Sequence, residues 1–229
     1  MYQKFLTARS PVRLLEKGLH GGLGKGNLGL VLAGHGVGKT SFLVGVALDE
    51  LLRGGNVLHV AIDQTVAHTR AHYDTLFEEL ASHAHLEDAP RVHADVDRRR
   101  SIRAVTSASF GAAKLRGAVK IQQETGFAPA LVILENFDAA HGTPDELLDT
   151  KALAQEVGAE IWLSVACPGE KVGALPGALV EARDAFGVIL ALEPEGKGVA
   201  LRALKDHENP DVSALRVALD PRTLLLTRS

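Results

Sequence analysis

Short apolar runs alternate along the chain with longer stretches in which apolar residues recur every three or four positions. The run "NLGLVLA" (27–33) is bounded by glycines and reads as a strand. Helical spacing follows in "TSFLVGVALDELLR" (40–53), and Gly54 and Gly55 stop it, as glycine does just past a helix end. "NVLHVAI" (56–62) is the next strand, and 66–84 is a rather polar helix. "RVHADV" (91–96) alternates and reads as a short strand. Ser101 then caps a long helix to about Glu124, weakened internally by Gly111 and Gly117.

The most apolar run, "ALVILE" (130–135), reads as a central strand. Thr143 and Glu146 have the spacing of a capping box, and Pro144 takes the first helical position, so a helix is expected over 144–157. Gly158 leads to strand "EIWLSVA" (160–166), and a short helix near 176–184 precedes strand "FGVILALE" (186–193). The tail has no room for helices between "GVALRALK" (198–205), "ALRVAL" (214–219) and "TLLLT" (223–227), which read as antiparallel strands added at one edge. Near-continuous apolar strands alternating with helices predict an α/β fold with a mostly parallel sheet and helices on both faces. No linker or internal repeat divides it, so residues 1–229 read as one domain with 1–26 as an N-terminal lead-in.

Composition narrows the classes. Apolar residues make up 46% of the 229, enough for a full core. The formal charge of −3 gives no bulk attraction to nucleic acid or anionic membrane. A single cysteine, Cys167, excludes an internal disulfide framework and fits a reducing compartment. No signal-peptide pattern and no apolar run of membrane-spanning length is present, so the reading is a soluble, cytoplasmic protein.

The chemistry sits in "AGHGVGKTS" (33–41). With Ala33 in first place, Gly34, His35, Gly36, Val37, Gly38, Lys39 and Thr40 complete the phosphate-loop pattern. Glycines let the backbone adopt positive φ and approach phosphate oxygens. Successive N–H groups and the following helix N-terminus can then bind the anion. Lys39 would bridge the β- and γ-phosphates, and the Thr40 hydroxyl would ligate Mg²⁺. The loop lies between a predicted strand and a predicted helix, the context such a loop requires.

The wider stretch "LLEKGLHGGLGKGNLGLVLAGHGVGKTSFLVGVALDELLRGGNVLHVAIDQT" resembles the opening region of RecA-like P-loop ATPases, most nearly the KaiC and RadA branch. The resemblance continues more weakly to "LRALKDHENP". It implies an ATP-binding protein that hydrolyses ATP with Mg²⁺ to drive assembly or switching. The implied partners are further copies of the chain, as a ring or filament, or a related ATPase subunit. Gly34, Gly36, Val37, Gly38, Lys39, Thr40 and Ser41 would hold the nucleotide. Asp63, ending the second strand, stands where the family has a carboxylate that orients the attacking water. Glu135, ending the apolar strand, stands at the family's second acidic position and would serve the metal with Thr40; Asp138 is the other candidate. Lys205 occupies the position of a lysine that reaches a neighbouring subunit's phosphates, so the implied catalytic set is Asp63, Lys39 and Lys205.

Several positions depart from the family. Asp63 replaces glutamate, Glu135 replaces aspartate, and His207 stands in an arginine position. Val165 and Ala166 fall where a polar sensor is usual. These departures support a second reading, a nucleotide-binding regulatory or scaffold protein with little turnover. A third reading, a small-molecule or nucleotide kinase, needs an arginine-rich lid, for which only "DRRRSIR" (97–103) offers material. That run is also the strongest basic cluster, but few aromatics accompany it, so a nucleic-acid partner is compatible but not indicated. His68 and His72 share a helix face without a third ligand of suitable spacing.

Overall fold

A computed structural model describes residues 11–175 and 177–229. Residues 1–10 of the expected lead-in, and the start of the helix expected near 176, lie outside those residues. Helices α1 (Val12–Gly18), α2 (Lys39–Leu52), α3 (Val66–Ala84), α4 (Ala89–Arg99), α5 (Ala112–Glu124), α6 (Pro144–Val157) and α7 (Ala178–Glu181) surround one sheet. Its strands are β1 (Leu28–Ala33), β2 (Val57–Ile62), β3 (Arg100–Val105), β4 (Leu131–Glu135), β5 (Glu160–Ala166), β6 (Phe186–Glu195), β7 (Gly198–Asp206), β8 (Val217–Leu219) and β9 (Leu226–Arg228).

The strand order is β3-β2-β4-β5-β1-β6-β7-β8-β9. Pairing from β3 to β6 is parallel, and from β6 to β9 antiparallel. The expected mostly parallel α/β sheet with antiparallel strands at the carboxyl terminus is therefore present. Every residue of β1, β2 and β4 is buried. That is why these strands are continuous apolar runs: both faces are covered. Successive side chains point to opposite faces, so Val31 and Ala33 join α1–α4 in one core, while Leu28, Leu30 and Leu32 join α5–α7 in the other. Each large apolar side chain buried in this way contributes about 1.5–3 kcal/mol. Packing leaves no room for a side chain at Gly29, beside Trp162 of the neighbouring strand. Trp162 also meets Phe42 of α2 edge-on, with ring centroids 5.8 Å apart.

Capping follows the local signals where those were strong. Thr143 and Glu146 make the reciprocal capping box at the start of α6, and Gly158 closes that helix in the left-handed conformation. The stretch 91–105 is a correction. Residues 89–99 form α4, and the strand is Arg100–Val105, where a helix was expected to begin. Val92 and Val96 lie one helical turn apart, so the residues that alternate also make an apolar helix face. Val96 is buried against the core formed by α2 and α3. The polar "RSIRAV" becomes a strand because β2 offers it a parallel edge, with Val57 opposite Arg100 and Ile62 opposite Val105. The helix expected from Ser101 starts only at Ala112, after Gly111. Among the described residues no helix is long and apolar enough to cross a membrane.

Candidate functional site

β1 is flanked by β5 and β6, and the chain leaves it towards β2 on one side and returns to β6 on the other. A crevice at the carboxyl ends of the strands is expected where connections diverge in this way. The glycine loop occupies that place. It leaves β1 after Ala33 and enters α2 at Lys39. Gly36 (φ 73°) and Gly38 (φ 115°) both have left-handed backbone, which a side chain would strain. A Cβ on Gly36 would meet nothing within 4 Å, so it is the backbone conformation and not crowding that favours glycine there. Gly38 is the N-cap of α2 and supplies no side-chain cap. The first amides of the helix have no acceptor within it, and they face the end of the sheet with the positive end of the helix dipole. Ser41 is buried and borders a small apolar cavity shared with Gly45, Leu48 and Leu225. Its side chain is thus enclosed on the α2–α3 side.

Lys39 Nζ donates to the carbonyls of Ala33 (3.1 Å) and Gly34 (2.8 Å). Burial pushes its ammonium below the usual range, opposed by the nearby Cys167 and Glu135. Next to it, the Thr40 hydroxyl donates to Oε1 of Glu135, at the end of β4. Glu135 is only 2% exposed, and its other oxygen, Oε2, lies 3.0 Å from Nε2 of His59 on β2. His59 Nδ1 in turn lies 3.1 Å from the hydroxyl of Tyr73 on α3. His59 and Tyr73 are fully buried. Burial alone pushes the Glu135 carboxyl up, yet the hydrogen bonds from His59 and Thr40 outweigh it, and the group ends below the usual carboxylate range. Tyr73 is pushed well above the usual phenol range by burial, so its hydroxyl keeps its proton. Arg100 stacks on the Tyr73 ring, 4.5 Å from its centre, and pairs with Asp97.

Other residues singled out from the sequence lie elsewhere. Asp138 is spent locally: Oδ1 accepts the Ala140 N–H and Oδ2 pairs with His141. Glu135 is therefore the carboxylate that meets Thr40. Asp63 follows the last residue of β2 with φ 54°, and its Oδ1 accepts the Ser107 N–H at 2.9 Å. Ser107 follows β3, on the side of β2 away from β4, so this carboxylate oxygen is turned from Thr40 and Glu135. Thr65, not Asp63, caps α3 by accepting the His68 N–H. Beside it, Gln64 Oε1 is buried with no partner among the described residues. Lys205 lies opposite Ile189, which neighbours Leu30, whereas the loop follows Ala33, which neighbours Leu192. It sits towards the opposite end of the sheet from the loop, its Nζ near the carbonyls of Arg183 and Asp184. His207 approaches the Gly22 carbonyl at 3.1 Å.

The arginine run is largely absorbed by the fold. Arg98 pairs with Asp95, Arg99 donates to the Gly54 carbonyl, and Arg100 lies between Asp97 and Tyr73. His93 stands between two carboxylates, with Asp74 at Nε2 (3.1 Å) and Asp97 at Nδ1 (3.8 Å). The three offer oxygen and nitrogen ligands within 4.8 Å. The carboxylates approach opposite ring nitrogens and Asp97 also serves Arg100, so His93 links α3 to α4 through Asp74. His68 and His72 face each other through Nε2 atoms 3.3 Å apart. A cleft of about 330 Å³ opens beside the end of the sheet, bounded by Ile62, Ser107, Phe110, Phe137, Asp138 and His141.

His59 and Tyr73 are the site residues that sequence reasoning missed. One signal was available: His59 is the polar residue in an otherwise apolar strand, and such a residue needs a buried partner. Compared with known proteins, the chain matches no family model and no curated protein sequence.

Proposed function

We propose that this chain is a RecA-like P-loop protein that binds ATP with Mg²⁺, and that nucleotide occupancy drives its assembly or conformational switching. The observation that carries the reading is the meeting of Thr40 with Glu135 at the mouth of a glycine loop whose lysine stands alongside. The loop amides and Lys39 would hold the phosphates; Lys39 need only exchange the Ala33 and Gly34 carbonyls for phosphate oxygens. A hydroxyl and a carboxylate are hard oxygen donors that suit Mg²⁺, which keeps several of its waters. When bound, that ion neutralises charge on the phosphate oxygens. Thr40 and Glu135 would place it, Thr40 directly and Glu135 directly or through water.

One observation favours the reading with little turnover. An Asp63 oxygen already accepts the Ser107 N–H, on the side away from Glu135. A general base must lie within hydrogen-bond reach of the proton it removes, so Asp63 would have to turn before it could act. Lys205 stands at the far end of the sheet from its own loop, so it would act only on a neighbouring copy's phosphates. Calorimetry with ATP and Mg²⁺ tests the reading. Heat of binding whose affinity falls about 10- to 100-fold in Lys39→Ala is the expected result, with slow phosphate release in a parallel assay. The absence of binding with any purine triphosphate at millimolar concentration would overturn it.

A further inference from the structure

We infer that His59, backed by Tyr73, is a positioning residue that holds Glu135 in the orientation needed to receive the nucleotide's metal; this rests on the reading above. Glu135 has two oxygens with different tasks. Oε1 faces Thr40, whereas Oε2 faces His59 at 3.0 Å. An ionised carboxylate can only accept, which puts a ring proton on Nε2; on the other side of the ring Nδ1 lies 3.1 Å from the Tyr73 hydroxyl, within hydrogen-bond distance. The ring angle is thereby set from the side away from Glu135. Tyr73 cannot drift, because it is fully buried and Arg100 lies against its ring. α3 thus supports β2, and β2 holds the carboxylate of β4.

The energetic case is one of geometry at low dielectric. A buried carboxylate without donors is costly, and Thr40 alone offers a single proton. Were metal to engage Oε1 together with the Thr40 hydroxyl oxygen, that proton would no longer point at Glu135. His59 would then be the donor that keeps Glu135 in place. Groups that orient a ligand in this way are worth about 10- to 100-fold in metal affinity. No local sequence pattern encodes the arrangement, since it depends on β2 and β4 lying side by side with Ala61 opposite Glu135.

The test compares nucleotide binding with and without Mg²⁺ in the wild type, His59→Leu, His59→Gln and Tyr73→Phe, with melting curves to establish folding. A fluorescent ATP analogue reports binding while Mg²⁺ is titrated. In His59→Leu the half-saturating Mg²⁺ concentration is expected to rise about 10- to 100-fold, with metal-free nucleotide affinity little changed. His59→Gln keeps a donor near the Nε2 position and is expected to restore most of the loss, and Tyr73→Phe falls between. An unchanged Mg²⁺ requirement in a folded His59→Leu overturns the inference. So does a His59→Gln variant as impaired as His59→Leu, which would reduce the residue to a packing role. Where His59→Leu does not fold, Tyr73→Phe decides, and an unchanged requirement there overturns the inference. Wild type that binds no nucleotide refutes the underlying reading instead, and is told apart because it fails before any substitution is made.

Discussion

The Thr40 hydroxyl donates to Oε1 of Glu135 and so joins the first turn of α2 to the carboxyl end of β4. The two residues are 95 positions apart in the chain, and β5 stands between the strands that lead to them. Their meeting is a property of the whole sheet. It places a hard-oxygen pair at the mouth of the glycine loop, and most of what can be tested about this protein starts from it.

Lys39→Ala should abolish most nucleotide binding without unfolding the chain. A charge-assisted hydrogen bond to phosphate is worth about 1.5–3 kcal/mol, so ATP affinity should fall roughly 10- to 100-fold. Calorimetry measures the loss. Equal affinity in the variant would remove Lys39 from the site.

Glu135→Ala and Glu135→Gln should separate stability from metal binding. Alanine leaves the buried His59 N–H and the Thr40 hydroxyl without their acceptor, a cost of about 1–3 kcal/mol and a fall in Tm of roughly 3–10 °C. Glutamine retains an acceptor and should melt closer to wild type, yet its missing charge should still raise the Mg²⁺ requirement. Thermal melts and Mg²⁺ titrations on both variants check this. Equal melting of the two would show that the buried donors do not depend on Glu135.

Glu160 supplies a pH-dependent prediction away from the nucleotide. Burial pushes its carboxyl above the usual range, and the charge of Glu50 adds to the rise. A raised carboxyl contributes stability that is fully present below the unfolded value near 4.3 and is lost as pH rises through the folded value. At pH 7 the ionised form therefore destabilises the fold. Glu160→Gln should raise Tm at neutral pH by roughly 1–3 °C, and the gap should close as the pH falls to about 4. A lower Tm for the variant at pH 7 would contradict this assignment.

Gly29→Ala tests the close packing beside Trp162. A Cβ there would lie 2.5 Å from Cε3 of Trp162, and the ring is held from another side by Phe42. Overpacking of this kind costs about 1–3 kcal/mol. Urea unfolding should show the midpoint shifted down. A midpoint equal to wild type would mean that the Trp162 ring moves freely, against the close packing around it.

Much of the framework was legible in residue order alone. Strands buried on both faces must be nearly all apolar, so β1, β2, β4, β5 and β6 announced themselves, and the capping box at Thr143 and Glu146 marked α6 within a single turn. The glycine loop was legible because positive φ at Gly36 and Gly38 is a local demand. Residues 91–105 were misread because Val92 and Val96 satisfy both a helical and an alternating period, and only pairing with β2 decides which segment becomes the strand. The same limit applies at the site. Glu135 and Asp138 look alike in sequence, and only the approach of α2 to β4 brings Glu135 to Thr40 while Asp138 meets Ala140 and His141. Asp63 follows β2 directly, but the turn after β3 decides where its carboxylate points. Behind Glu135, His59 and Tyr73 come together only when β2, β4 and α3 pack. Backbone preference and apolar period act over a few residues, whereas the partner of a buried polar group is chosen by strand order and register, which nothing short of the folded sheet specifies.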